Sequence, residues 1–198
     1  MSRMGRVVAT VLGVWFVGAL AVGASGLFYG VPTPVIGATN GLLVSLTLLA
    51  VFIIRPLRAW VREVPLQWLV LFHAVRFVGI AFLVLHARGT IPGAFAVTAG
   101  WGDIAVAVTA LIVAHRALPI AHRTHWWVVL LWNVFGLLDI VFVLQNGIGL
   151  GLADPAQMIW ITAFPWSLIP TFIVPLVLVT HVLIFVRLWR LRNTVSER

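Results

Sequence analysis

Several strongly polar side chains lie inside apolar runs of this chain that are long enough to cross a bilayer. The run LFHAVRFVGIAFLVLHARG, residues 71–89, carries a histidine and an arginine three residues apart. A charge at the bilayer centre costs about 2.5–3.5 kcal/mol on insertion scales, so such side chains usually face a partner or a water-filled cavity. The chemically capable residues within the apolar runs are His73, Arg76, Asp103, Asn133, Asp139 and His181.

Arg76 requires a carboxylate partner, because a guanidinium does not lose its proton in a protein. Asp103 lies at a matching depth, and Asp139 is the alternative partner. Such a pair is either structural, fixing how helices pack, or functional, as a gate, an anion site or a proton path. We interpret Arg76, Asp103 and Asp139, together with Asn133 and Thr171, as a site for a small ligand, an ion or a proton.

Thr171 enters this set through two prolines of the last apolar segment, Pro170 and Pro175. Each proline lacks an N–H, which frees the carbonyl one turn earlier and kinks the helix. Freed carbonyls beside Thr171 would line a polar pocket in the outer half of the membrane. Proline is also tolerated in transmembrane helices without any function, which is the alternative.

A second interpretation concerns His73 and His181, which lie at similar depth on two segments. Neutral histidines placed in this way can bind a haem b iron from its two axial sides. The alternative is a hydrogen-bonded histidine pair packed with Asn133. The haem interpretation would make the protein an electron-transfer component of the membrane.

The remaining candidates for metal binding are His115, His122 and His125 in one polar loop. Histidines three residues apart before a helix can present two ligands on one face. Loop histidines among arginines are more often solvated or in contact with lipid headgroups, so no metal site is assigned. The chain has no cysteine, which excludes disulfides, thiolate catalysis and cysteine-bound metals.

The elements that must position these residues are apolar segments in a chain of 198 residues, 62% hydrophobic and 9% charged. Soluble domains are about 25% charged. We therefore predict an all-α, polytopic integral membrane protein, with a single membrane domain over residues 1–198. Its six transmembrane helices are expected near residues 7–29, 35–54, 65–87, 91–114, 124–146 and 166–188.

The arginines predict the orientation of these helices. Eleven of the thirteen basic residues, all arginine, fall on one side if all six segments span. Because positive loops stay in the cytoplasm, we predict a six-helix bundle in the cytoplasmic (inner) membrane, with both termini cytoplasmic. The same pattern explains the net charge of +8 without a nucleic-acid partner. For the first segment, a signal peptide cleaved near Ala24 is the alternative.

A rise of about 1.5 Å per residue sorts the buried polar residues into two layers. His73, Asn133 and His181 form the layer nearer the cytoplasm. Arg76, Asp103 and Asp139 form the layer at and beyond the middle of the membrane. Small residues surround the charges, as in AVTAGWGDIA around Asp103 and at Gly136, which lets neighbouring helices approach closely.

Three functions are compatible with these residues, and the sequence does not decide whether the protein is an enzyme. The first is handling of a small ligand, an ion or a proton, as in a transporter, at the charged cluster. The second is electron transfer through bis-histidine haem b. The third is a non-catalytic membrane subunit or scaffold. The expected surroundings are the lipid bilayer and, for so short a chain, a homodimer or a larger membrane complex.

Overall fold

The computed structural model describes residues 2–196, with side chains up to residue 192. Within that part the chain is helical, and six spans are long and apolar enough to cross a membrane, as the sequence predicts. The spans are Arg3–Ala24, Thr33–Ile53, Leu66–Ala87, Gly93–Arg116, Arg123–Ala153 and Ile169–Arg192.

The α-helices are numbered in chain order. They are α1 (Arg3–Ala24), α2 (Thr33–Ile53), α3 (Arg55–Glu63), α4 (Leu66–Leu71), α5 (Val78–Ala87), α6 (Gly93–Arg116), α7 (Arg123–Ala153) and α8 (Val174–Ser196). A 3₁₀ helix, Phe72–Phe77, connects α4 to α5, and a π-helical segment, Ile169–Ile173, precedes α8. Two more short 3₁₀ turns are Pro155–Gln157 and Ile159–Thr162.

Several helix ends differ from the sequence prediction for local reasons. The first helix begins at Arg3, because the Ser2 side chain accepts a hydrogen bond from the Gly5 N–H at 3.1 Å and caps it. It ends at Ala24, two residues before Gly26 adopts a φ of +78°. The fifth span, α7, continues to Ala153, seven residues beyond the end predicted at residue 146.

The segment between the second and third spans is a helix of its own, α3, with the sequence RPLRAWVRE. It has Leu57 and Val61 four residues apart, on one face, and arginines on the other, and none of its residues is buried. A helix with this pattern is typical of one that lies along a membrane surface. The arginine pattern alone did not predict a helix in this segment.

The chain divides into two compact units, and the first consists of Met1–Glu63 and Gly147–Leu176. In it, the Trp15 indole N–H donates to the carbonyl of Thr171 at 2.9 Å. An α-helix would direct the N–H of residue 175 at this carbonyl, but that residue is proline. The side chain of α1 therefore supplies a donor to the carbonyl that Pro175 deprives of its usual one.

The second unit consists of Val64–Asn146 and Val177–Arg198. Its core is aliphatic, with Val70, Val106, Ala110, Val129 and Ile184 each fully buried. Helices α5 and α6 approach each other closely through glycine. A methyl group on Gly79 would lie 2.5 Å from the Gly100 carbonyl oxygen and 2.8 Å from the Asp103 Cβ, so this contact requires glycine.

Candidate functional site

The second unit contains the polar cluster, and its first two members lie in the 3₁₀ helix Phe72–Phe77. In a 3₁₀ helix residues three apart are eclipsed, so His73 and Arg76 lie one above the other on one face. Both are buried, with 0% and 2% of their surface exposed. The 3₁₀ geometry therefore aligns the two side chains more closely than an α-helix would.

Arg76 is held by three acceptors, one on each guanidinium nitrogen. Its Nε donates to Asp103 Oδ1 at 2.6 Å, and one terminal nitrogen donates to the Gly136 carbonyl at 3.0 Å. The other terminal nitrogen pairs with the carboxylate of Asp139. The ion pair expected from helix depth is thus present, and the aspartate considered as the alternative partner takes part as well.

Two glycines make room for this cluster on α6 and α7. A methyl group on Gly102 would collide with the Asp139 carboxylate. On α7, a methyl group on Gly136 would lie 2.7 Å from His181 Cε1 and 3.2 Å from Val106 Cγ1. The backbone of each glycine is therefore in direct contact with a polar member of the cluster.

His181 on α8 is bound to α7 by a reciprocal pair of hydrogen bonds with Asn133. The ring Nδ1 lies 2.8 Å from Asn133 Oδ1, and the Asn133 amide nitrogen donates to the His181 carbonyl at 3.1 Å. Both residues are fully buried. Asn133, Gly136 and Asp139 recur every three residues along α7, which keeps them near one face of the helix.

His73 contacts the same part of α8. Its Nε2 lies 3.2 Å from the Thr180 hydroxyl, and its ring centroid lies 4.2 Å from that of His181. The ring also packs edge-on against Trp132, at 5.2 Å between centroids. His73, Asn133 and His181 are therefore in mutual proximity, as the depth estimate placed them, and adjoin the Arg76 cluster.

The haem interpretation does not fit this geometry. Two axial histidines lie on opposite faces of a macrocycle, and two metal–nitrogen bonds of about 2 Å each would separate the ring centroids by roughly 6 Å. The observed separation is 4.2 Å. The packing leaves no space for a porphyrin between His73 and His181, whose rings pack directly against each other.

The remaining predicted residues lie elsewhere. Thr171 belongs to the first unit, where its hydroxyl donates to the Ser167 carbonyl at 2.7 Å. His122 and His125 have ring centroids 5.2 Å apart, and His115 is exposed. No group of three or more His, Cys, Asp or Glu residues that could hold a metal is present among the described residues.

Some residues of the cluster were not predicted from the sequence. Thr180, next to His181 in the sequence, is the hydrogen-bond partner of His73. The Gly136 carbonyl accepts a hydrogen bond from Arg76. Trp132, next to Asn133, packs on the histidines. Each of them is adjacent in sequence or helical register to a predicted residue, and this adjacency was the signal that could have identified them.

The fold and the cluster define a helical protein with six membrane-length spans and a buried arginine shared by two aspartates. The model of one protein family, described as a domain of unknown function (DUF8737), matches residues 33–189. The match covers well over half of the chain, so the protein belongs to this family, and every residue of the cluster lies within it. No curated protein and no solved structure matches the chain.

Proposed function

We propose that this protein is a proton carrier of the cytoplasmic membrane, with its proton-binding site at Arg76, Asp103 and Asp139. The observation that carries the proposal is the charge of the cluster. One guanidinium is shared by two carboxylates, which leaves an excess of one negative charge when both aspartates are ionised. An uncompensated charge is costly inside a membrane, and one bound proton removes it.

The packing of the cluster favours a proton over a larger ligand. Three of the five guanidinium N–H groups have acceptors within the protein, and Arg76 is only 2% exposed, so an anion would have to enter a closed cluster. The space beside Gly102 and Gly136 is filled by Asp139 and His181. A proton needs no additional volume, whereas a solute would first have to displace these side chains.

Asp139 is the carboxylate that we expect to exchange the proton. Its side chain is 12% exposed, compared with 6% for Asp103. One oxygen of Asp139 pairs with Arg76, and the other lies against the backbone of Gly102. A proton on that second oxygen would leave the ion pair intact, so the site could load and release it without losing its main contact.

The orientation remains part of this proposal. The distribution of arginines supports six spans with both termini in the cytoplasm. Under that topology the layer of His73, Asn133 and His181 faces the cytoplasm, and the aspartates lie deeper.

Proton flux into liposomes tests the proposal. The purified protein is reconstituted with a pH-sensitive dye inside, and a potassium diffusion potential drives protons across the membrane. We expect uptake well above that of empty liposomes, and a decrease of about 100-fold in the Asp139→Asn variant, within the range contributed by a positioned proton-transfer group. Asp154→Asn is the matched control, because Asp154 is exposed and lies outside the cluster.

Two results would contradict the proposal. Uptake no faster than in empty liposomes would remove the transport function. Equal uptake by the wild type and Asp139→Asn, with Asp154→Asn unchanged, would show that protons cross without this cluster.

A scaffold or non-catalytic subunit is the second candidate function, because the cluster connects three elements of one unit. The ion pairs join the 3₁₀ helix to α6 and α7, and buried pairs can serve packing alone. Asp139→Asn separates the two functions, since the amide oxygen can still accept from Arg76. A purely structural role predicts a change in thermal stability, whereas the carrier predicts lost flux in a protein that remains folded.

A further inference from the structure

The hydrogen-bond partners of His73 and His181 indicate which ring nitrogen of each neutral imidazole carries the hydrogen. The amide of Asn133 is oriented by its donation to the His181 carbonyl at 3.1 Å, so its oxygen faces the ring and accepts from His181 Nδ1–H at 2.8 Å. A neutral imidazole has one N–H and one bare nitrogen. We infer that His181 carries its hydrogen on Nδ1, which leaves Nε2 as its basic nitrogen.

The opposite assignment follows for His73 from its contact with Thr180. The Thr180 hydroxyl donates its single hydrogen to the backbone carbonyl of Val177 at 2.9 Å, as threonine does within helices. We infer that its oxygen accepts from His73 Nε2–H, since the two atoms lie 3.2 Å apart. The bare nitrogen of His73 is Nδ1.

Both bare nitrogens are buried without a hydrogen-bond partner among the described residues. A buried polar atom left without a partner is unfavourable. Each nitrogen is a base in a side chain with 0% exposure, and the two rings are in contact at 4.2 Å between centroids. Each ring thus presents one unpaired basic nitrogen within the buried cluster.

We propose that His73 and His181 form a second proton site, a relay between the cytoplasmic face and the aspartates. The inference rests on the proposed function and on its orientation. The charged and titratable groups of the neighbouring elements are Arg76 beside His73, Asp103 on α6 and Asp139 on α7. Gly136 adjoins both sites, because His181 packs against it and its carbonyl accepts from Arg76.

Charge balance supports transfer between the two sites. A proton on the histidine pair gives one imidazolium, which with Arg76 equals the charge of two ionised aspartates. A proton on an aspartate also gives a neutral cluster. In the transfer an N–H bond at a histidine breaks and an O–H bond at a carboxyl forms, each electron pair remaining on its atom. The buried region has no net charge before or after the step.

Solid-state NMR of ¹⁵N-histidine-labelled protein in liposomes tests the inference on the wild type. The chain has six histidines, and His73→Gln and His181→Gln assign the two signals. We expect one Nε2–H and one Nδ1–H tautomer at neutral pH, and one imidazolium for the pair on acidification. Two identical tautomers, or two separately charged rings, would overturn the relay.

The flux assay separates a failed relay from a failed carrier. We expect His73→Gln and His181→Gln each to slow uptake by about 100-fold, since glutamine can still donate a hydrogen bond but has no basic nitrogen. His86→Gln is the control, because His86 is exposed. Wild-type rates in both variants, with loss in Asp139→Asn, would refute the relay and leave the carrier. No flux in the wild type would refute both.

Discussion

At the scale of single residues, Arg76 determines the electrostatics of the second unit. Its guanidinium is 2% exposed and contacts both aspartates and a backbone carbonyl. Removing one side of a buried ion pair is far more damaging than removing both, because the remaining charge keeps its desolvation cost without its partner. This difference between removing one partner and removing both is larger here, since Arg76 pairs with two carboxylates.

This difference leads to a stability prediction for Arg76→Leu. The variant should lose about 3–5 kcal/mol of stability, the cost of an unpaired buried charge. Two double variants, Arg76→Leu with Asp103→Leu and Arg76→Leu with Asp139→Leu, should each recover part of that loss. Folded yield in detergent and the midpoint of thermal unfolding measure the effect, with exposed Arg88→Leu as the control. If both double variants are as unstable as Arg76→Leu alone, the ion pairs do not stabilise the fold.

The ion pair was predictable from sequence because charge and depth leave few choices for an arginine within an apolar run. The position of Asp103 along its segment was enough to select it. Hydrogen-bond partners of a common residue type, such as threonine, were not predictable in this way. Thr180 is one of many threonines in helices, and nothing in its sequence context distinguishes it until His73 is found opposite.

At the scale of elements, glycine determines how closely the helices of the second unit approach. Gly136 and Gly149 lie on the same helix, α7, but in different surroundings. A methyl group on Gly136 would lie 2.7 Å from His181, whereas one on Gly149 would meet nothing within 4 Å. The two positions therefore separate the contribution of packing from that of helix propensity.

Gly136→Ala should lower the free energy of unfolding, and Gly149→Ala should not. Overpacking costs about 1–3 kcal/mol, which exceeds the gain of about 0.5–1 kcal/mol from replacing glycine in a helix interior. At Gly149 only the gain applies. Thermal unfolding of both variants in the same detergent measures the difference. An equal shift in the two variants would mean that the Gly136 contact with His181 is not tight.

The existence of six membrane-length spans was predictable because a long apolar run has few alternatives to a helix in lipid. Their internal changes of geometry were not. The run around His73 is continuous in hydropathy, yet it contains α4, a 3₁₀ helix and α5. Apolar periodicity over six residues does not distinguish 3₁₀ from α geometry, since neighbours at three residues are close in both.

At the scale of the whole molecule, the chain returns to each compact unit after leaving it. Helix α7 has residues in both units, as does the last span. The single membrane domain expected from the sequence stays a prediction, and so does the orientation. Thr171, which the sequence placed with the polar cluster, belongs with the first unit, whereas Arg76, Asp103 and Asp139 belong with the second. Depth in one helix does not reveal which unit that helix joins.

The absence of cysteine from the chain allows a clean test of topology. Thr90 and Ala121 are exposed residues in the turns that follow the third and fourth spans. With both termini cytoplasmic, a membrane-impermeant maleimide should label Thr90→Cys in intact cells. It should label Ala121→Cys only after permeabilisation. The reverse pattern would invert the orientation, and labelling of both in intact cells would remove a span.

The 3₁₀ helix at Phe72–Phe77 also has a mechanical consequence. A 3₁₀ helix rises about 2.0 Å per residue with 3.0 residues per turn, whereas an α-helix rises about 1.5 Å with 3.6. Rewinding these six residues into α geometry would shorten the span by about 3 Å and turn α5 by roughly a third of a revolution against α4. His73 and Arg76 would no longer be eclipsed. A local change of helical pitch would thus suffice to uncouple the histidine from the arginine.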